Sequence, residues 1–141
     1  MKIAIALLVL ATSVSACATD GGVSASSGSA GLAGHDWKLT ELNGQSVAET
    51  NRPAHISFSA GDRRVSGSGG CNSFGGAYEL RPGNRIYISQ VVHTMMACQS
   101  GMDVDSGLMT ALGSADSYTV TGDTLILNSA DTAAIAQFTA N

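Results

Sequence analysis

From Trp37 onward the chain is patterned mostly with a period of two. Trp37-Lys38-Leu39-Thr40-Glu41-Leu42 alternates apolar and polar residues, as a strand with one buried face should. Asn43-Gly44 then supplies a pair that tolerates positive φ and turns the chain. Ile56-Ser57-Phe58 alternates again, and Ala60-Gly61-Asp62 leads into Arg64-Val65-Ser66-Gly67. Ala77-Tyr78-Glu79-Leu80 is a short strand, Pro82-Gly83-Asn84 a turn, and Arg85 to Val91 resumes the alternation. Tyr118-Thr119-Val120-Thr121 and Thr124-Leu125-Ile126-Leu127-Asn128 flank Gly122-Asp123 as a tight hairpin. Ala134-Ile135-Ala136-Gln137-Phe138 reads as the last strand.

One interval departs from this period. Between Met102 and Leu112, Val104, Leu108 and Leu112 recur every fourth position, which is helical spacing. Asp103, Asp105 and Ser106 suit a helix start as acceptors and negative charge, and Gly113 suits its end. The pattern predicts one short helix over about 103–113, with Leu108 and Leu112 covering the sheet face that carries Trp37, Phe58 and Ile88. The fold class expected is α+β, mainly antiparallel β: a compact sheet or partial barrel with a single helix.

The N-terminus has a different character. Lys2 followed by the apolar run Ile3 to Ala11, too short to span a bilayer, makes residues 1–16 an export signal. Val14-Ser15-Ala16-Cys17 resembles the bacterial lipobox, which is cut before the cysteine and leaves it acylated. The other reading is an ordinary secretory signal cleaved after Ala16 or Cys17. Ala18, not Asp, follows the cysteine, and by resemblance to lipoprotein sorting this favours the outer membrane. Residues 17–34 are nearly all Gly, Ser, Ala and Thr, a composition expected to act as a flexible tether. Residues 35–141 are then left as one domain large enough for a core.

The formal charge of −4 is modest, and Arg52, Arg63, Arg64, Arg81 and Arg85 are scattered over turns, so nucleic-acid binding is not expected. The stretch Gly67-Ser68-Gly69-Gly70-Cys71-Asn72-Ser73-Phe74-Gly75-Gly76 fits no phosphate loop. Asn72 stands where a dinucleotide fingerprint needs glycine, and no Gly-Lys-Ser/Thr end follows. Its glycines are read as allowing close approach and a sharp bend. Cys71 and Cys98 could form a disulfide, hold a metal or supply a reactive thiol. In an exported chain the disulfide is favoured. His35, His55 and His93 show no ligand spacing to either cysteine, so no metal is expected, and His93 is the one base close in sequence. Asp103-x-Asp105-x-Gly107 lacks the rest of a calcium loop and is read as helix capping. Met95 and Met96 could form a soft contact surface, but filling a core gap is the favoured reading.

Taken in order, the Trp37–Gly44, Ile56–Phe58 and Val65–Tyr78 pieces, Thr94-Met95-Met96-Ala97-Cys98 and Asp123–Leu127 resemble the META domain, the family of HslJ-type bacterial heat-shock lipoproteins. The chain departs from that pattern where Gln99-Ser100-Gly101-Met102 follows the second cysteine. The resemblance covers nearly all of residues 35–140. It implies a compact β-rich domain with one helix, often on a lipoprotein and linked to envelope stress or antibiotic tolerance, with no established catalytic residues. The expectation is therefore a non-enzymatic envelope lipoprotein, held by acyl chains on Cys17, facing the periplasm, using no cofactor and meeting an envelope protein partner. The alternatives are a protease inhibitor or assembly chaperone acting through a strand edge or the Gly-rich loop, and a thiol redox protein using Cys71 and Cys98.

Overall fold

The structure, a computed structural model, describes residues 29–141. The export signal, Cys17 and the tether as far as residue 28 lie outside the described residues. Nine strands form one antiparallel sheet: β1 (Asp36–Leu42), β2 (Gln45–Ser46), β3 (His55–Ser59), β4 (Arg64–Ser68), β5 (Ser73–Arg81), β6 (Arg85–His93), β7 (Ser117–Thr121), β8 (Thr124–Asn128) and β9 (Ala134–Ala140). Among the described residues there are two helices, α1 (Ser29–Leu32) and α2 (Met102–Ser114). From β3 to β9 every strand pairs with its sequence neighbour. β1 pairs with both β3 and β9, so the sheet closes into a ring, with β2 appended to β1.

The period of two survives in the structure because it separates the inside of the ring from solvent. Trp37 and Leu39 on β1, Ile56 and Phe58 on β3, Phe74 and Tyr78 on β5, and Leu125 and Leu127 on β8 all face inward and are buried. Three register shifts interrupt the ladders: between Leu39 and Glu41 against β9, between Gly75 and Ala77 against β6, and between Leu127 and Asn128 against β9. Gln90, at φ 53°, carries the extra residue on β6. The β6–β7 seam is joined at one register pair, Arg85 with Ser117.

Helix α2 connects the strands of that seam and packs against β1, β6 and β9. Val104, Leu108, Ala111 and Leu112 enter the same core as Trp37, Phe58 and Ile88, as the helical spacing required. The helix runs past Gly113 and stops at Ala115, whose extended backbone ends it.

At the other end of the chain the folded part starts earlier than its composition suggests. The flexible tether was expected to reach Gly34, yet Leu32 is fully buried and its carbonyl accepts the Trp37 indole N–H at 2.8 Å. Gly34 N–H donates to the Phe58 carbonyl, and Gly31 lies beside Val120. One leucine and one indole hydrogen bond are enough to order a segment otherwise lacking apolar side chains.

Tyr78 and Tyr118 are buried in the ring, and the Tyr78 hydroxyl donates to the Ser59 carbonyl at 3.1 Å. Burial pushes both phenols above their ordinary value, with Arg63 partly opposing this for Tyr78 and Tyr78 adding to it for Tyr118. A raised folded value means the fold favours the protonated phenol. That stability is present below the ordinary value of about 10 and is lost as pH rises through the folded values. Alkaline titration should therefore show phenolate absorbance from these residues appearing together with loss of near-ultraviolet circular dichroism. Phenolate formation at full retention of that signal for both residues would contradict the assignment.

Candidate functional site

The Gly-rich segment connects β4 to β5, and its glycines serve close approach. A Cβ on Gly69 would overlap Asp105 Oδ1 and come within 2.8 Å of Asp105 Cα. Gly70, at φ 102°, takes a backbone conformation that L side chains rarely adopt, and its carbonyl accepts the Arg52 N–H at 3.2 Å. The sharp bend presents the Asn72 backbone to the first turn of α2.

There Asp105, only 4% exposed, clasps Asn72 with both carboxylate oxygens. Asn72 N–H donates to Oδ1 at 2.9 Å and Asn72 Nδ2 donates to Oδ2 at 3.1 Å. The other side of the same amide holds the β6–α2 connection. Asn72 Oδ1 accepts the Met96 N–H at 2.7 Å and the Thr94 hydroxyl at 2.9 Å, and Nδ2 lies 3.5 Å from the Met96 carbonyl. Every hydrogen-bonding position of the amide is thereby used, which is what allows so polar a side chain to be buried.

The structure joins Cys71 to Cys98 in a disulfide with a Cα–Cα distance of 5.9 Å across 27 residues. Cys71 is fully buried, and its sulfur, lacking a proton, is in contact with the Met96 carbonyl at 3.5 Å. His93 points its Nδ1 at the Thr94 carbonyl, 2.8 Å away. Among the described residues no three His, Cys, Asp or Glu side chains converge as metal ligands.

Two expectations change here. Asp105 does not cap the helix: Gly101 is the N-cap, no side chain caps it, and Asp105 turns inward to Asn72, leaving Asp103 as the exposed acid of the first turn. The spacing held the clue, because position 105 shares the buried stripe with Leu108 and Leu112, and a carboxylate there demands a donor. Met95 and Met96 do not fill a core gap. Met95 is 91% exposed, Met96 43%, Met102 42% and Val92 70%, because Asn72 and the disulfide hold the backbone of this connection at the surface. Four of the five exposed large apolar residues among those described thus fall between positions 92 and 102.

The β2–β3 connection borders the same end. Val47 N–H reaches the Thr40 carbonyl, the Thr50 hydroxyl donates to the Arg52 carbonyl, and Ser100 Oγ donates to Asn51 Oδ1 at 2.5 Å. Open clefts of about 430, 600 and 360 Å³ flank it, the largest lined by Arg52, His55, Ser66, Ser73 and Asp36. His55 Nε2 lies 4.0 Å from Asp36 Oδ1, while Ser57 Oγ donates to that oxygen at 2.6 Å.

A closed antiparallel ring, crossed by one helix and clasped by an Asp–Asn pair beside a disulfide, defines a small β-rich domain. The META domain model matches residues 30–141, and the chain belongs to the META domain family. Among curated proteins none matches it. A protein from Burkholderia xenovorans, solved by NMR, is 24% identical, with 78% of this chain and 83% of that one covered at a TM-score of 0.62. Another NMR structure is 24% identical at a TM-score of 0.61, covering 77% of this chain and 91% of the other. The crystal structure of a DUF4847 family protein from Bacteroides vulgatus is 18% identical, covering 78% and 94% at 0.57. These likenesses concern the fold.

Removing the carboxylate should strand two buried donors. Asp105→Ala is expected to lower unfolding stability by about 3 kcal/mol in denaturant titration, and Asn72→Asp, which sets two carboxyls together, by at least as much. The double variant Asn72→Ala/Asp105→Ala should lose clearly less than the two single losses added. Strict additivity would show that the clasp contributes nothing. Replacing both cysteines by alanine should cost about 3.5 kcal/mol through the freed 27-residue loop.

Proposed function

We propose that this META domain protein is a non-enzymatic envelope lipoprotein, a binding module serving stress or antibiotic tolerance and held by acyl chains on Cys17. The lipobox-like Val14–Cys17 and the preceding export signal support the anchor, and Ala18 supports the outer membrane as its address. A disulfide inside the domain fits an oxidising periplasm.

The observation that carries the binding role is the placement of the two ends. Gly34, just after helix α1 where the chain arrives from the anchor, bonds to Phe58 near the C-terminal end of β3. The Asn72 clasp lies beyond the opposite end, where His55 pairs with Ser68 just before the Gly-rich bend. Residues 18–28 reach at most about 40 Å, so the domain stays near the membrane. The clasped end with its exposed Val92, Met95, Met96 and Met102 lies away from the point of attachment, free to meet soluble or envelope proteins. The inhibitor or chaperone reading draws on the same surface. The thiol redox reading draws no support from a pair already bonded to each other, with Cys71 fully buried and Cys98 partly so.

Two measurements test this. The mature protein should partition into detergent and carry acyl mass on its N-terminal cysteine, whereas Cys17→Ser exported behind a cleavable non-lipoprotein signal in place of residues 1–16 should appear in the soluble periplasmic fraction with its fold intact. Membrane retention of that cleaved form lacking Cys17 would remove the lipid anchor. Site-directed crosslinking in intact envelopes from position 95 should trap a discrete protein adduct that crosslinking from the α1 end does not; equal labelling from both ends counts against a distal binding face.

A further inference from the structure

Residues 94–98 run without helix, turn or bend from the end of β6 to the disulfide. The chain on both sides of Met95 is clipped to one short segment, residues 71–73. Before it, Thr94 N–H donates to the Ser73 carbonyl at 3.0 Å, and Ser73 N–H donates to Thr94 Oγ1 at 3.2 Å. After it, Met96 N–H is held by Asn72 Oδ1 at 2.7 Å, and Cys98 is bonded to Cys71. Met95 itself stands out between these clips, 91% exposed.

Such a loop has already lost the conformational entropy that a flexible peptide gives up on binding. Its projecting side chain is long, unbranched and apolar, a shape suited to a deep apolar pocket. A single anchor seated in a pocket, with near-neutral contacts around it, is how tight interfaces concentrate their energy. Val92, Met96 and Met102 are the other exposed large apolar residues of this stretch of chain.

We infer that residues 94–98 form the reactive-site loop of a protease inhibitor, with Met95 entering the apolar S1 pocket of a serine endopeptidase. The pocket is the element of such enzymes that selects this residue, and chymotrypsin-like ones present an apolar slot. The scissile bond is Met95–Met96. Hydrolysis consumes one water and yields the Met95 carboxylate and the Met96 amine. Both new ends stay in place, since Thr94 remains on Ser73 and Asn72, while Met96 remains on Asn72 and the disulfide. The cut loop therefore leaves slowly, and the amine can re-form the bond with release of that water. This inference deepens the reading of the clasped end as a binding face and rests on it, but not on the lipid at Cys17.

The test uses residues 17–141 carrying Cys17→Ser, exported behind a cleavable non-lipoprotein signal and titrated against chymotrypsin as the apolar-S1 probe and against trypsin as the basic-S1 probe. Stoichiometric inhibition of chymotrypsin is expected, with slow cleavage confined to Met95–Met96. Met95→Asp should weaken inhibition about a hundred-fold, the loss typical of a removed pocket anchor. Met95→Lys should transfer inhibition to trypsin, and both variants should keep the parent melting temperature because the side chain is exposed. Rapid digestion of the loop as an ordinary substrate overturns the inference, as does failure of the parent and Met95→Lys to inhibit either enzyme. A crosslink from position 95 to a protein that is not a protease leaves the binding face standing and removes the inhibitor role.

Discussion

One buried carboxylate and one buried amide organise the far end of this domain. Asp105 holds the backbone and side-chain N–H groups of Asn72, and Asn72 in turn holds Thr94 and Met96. Three separate pieces of chain meet there: the β4–β5 bend, the β6–α2 connection and the first turn of α2. Each would otherwise expose unpaired main-chain groups or require its own local cap. The arrangement explains why Gly69 lacks a side chain, since a Cβ would stand where the carboxylate must pass. It also explains why Gly101 can serve as N-cap without a side-chain acceptor, because the helix is fixed from inside.

The disulfide and the clasp divide the work between them. Cys71–Cys98 limits how far the β6–α2 connection can wander in the unfolded chain, and the hydrogen bonds set its native path. The ring supplies the platform, because closure through β1 and β9 leaves the three pieces no room to spread. The result is a segment with apolar side chains outside and a fully satisfied polar network beneath. Ordinary globular surfaces expose such residues singly. Here they are gathered along the end of β6, the connection and the first residue of α2, which is why that end is read as the binding face.

Much of the fold was legible along the chain. The alternation around Trp37, Ile56, Phe58, Leu125 and Leu127 survives because a closed sheet has one inside and one outside, and each strand must obey both. The four-residue spacing of Val104, Leu108 and Leu112 located the helix to within a residue at each end, since no other period buries those three together. The Gly67–Gly76 stretch announced a close approach, although not what approached. The start of the folded part was harder to see: Leu32 is one apolar residue in a Gly/Ser/Ala tract, and its indole-bound carbonyl is a tertiary contact.

The sequence by itself determined the strand and helix periods, the oxidised cysteine pair as the favoured reading and the family. These rest on local spacing or on ordered motifs that need no partner elsewhere. The tertiary structure decided which way the polar residues of the helix start face and where the methionines go. Asp103 and Asp105 look alike as first-turn acids, and only the bend at Gly69–Gly70 brings a donor to one of them. Met95 and Met96 look like core fillers, and only the distant residues 71–73, through Asn72, Ser73 and the disulfide, hold their stretch of backbone at the surface. A side chain's role follows from which distant groups the fold sets beside it, and that geometry has no local signature.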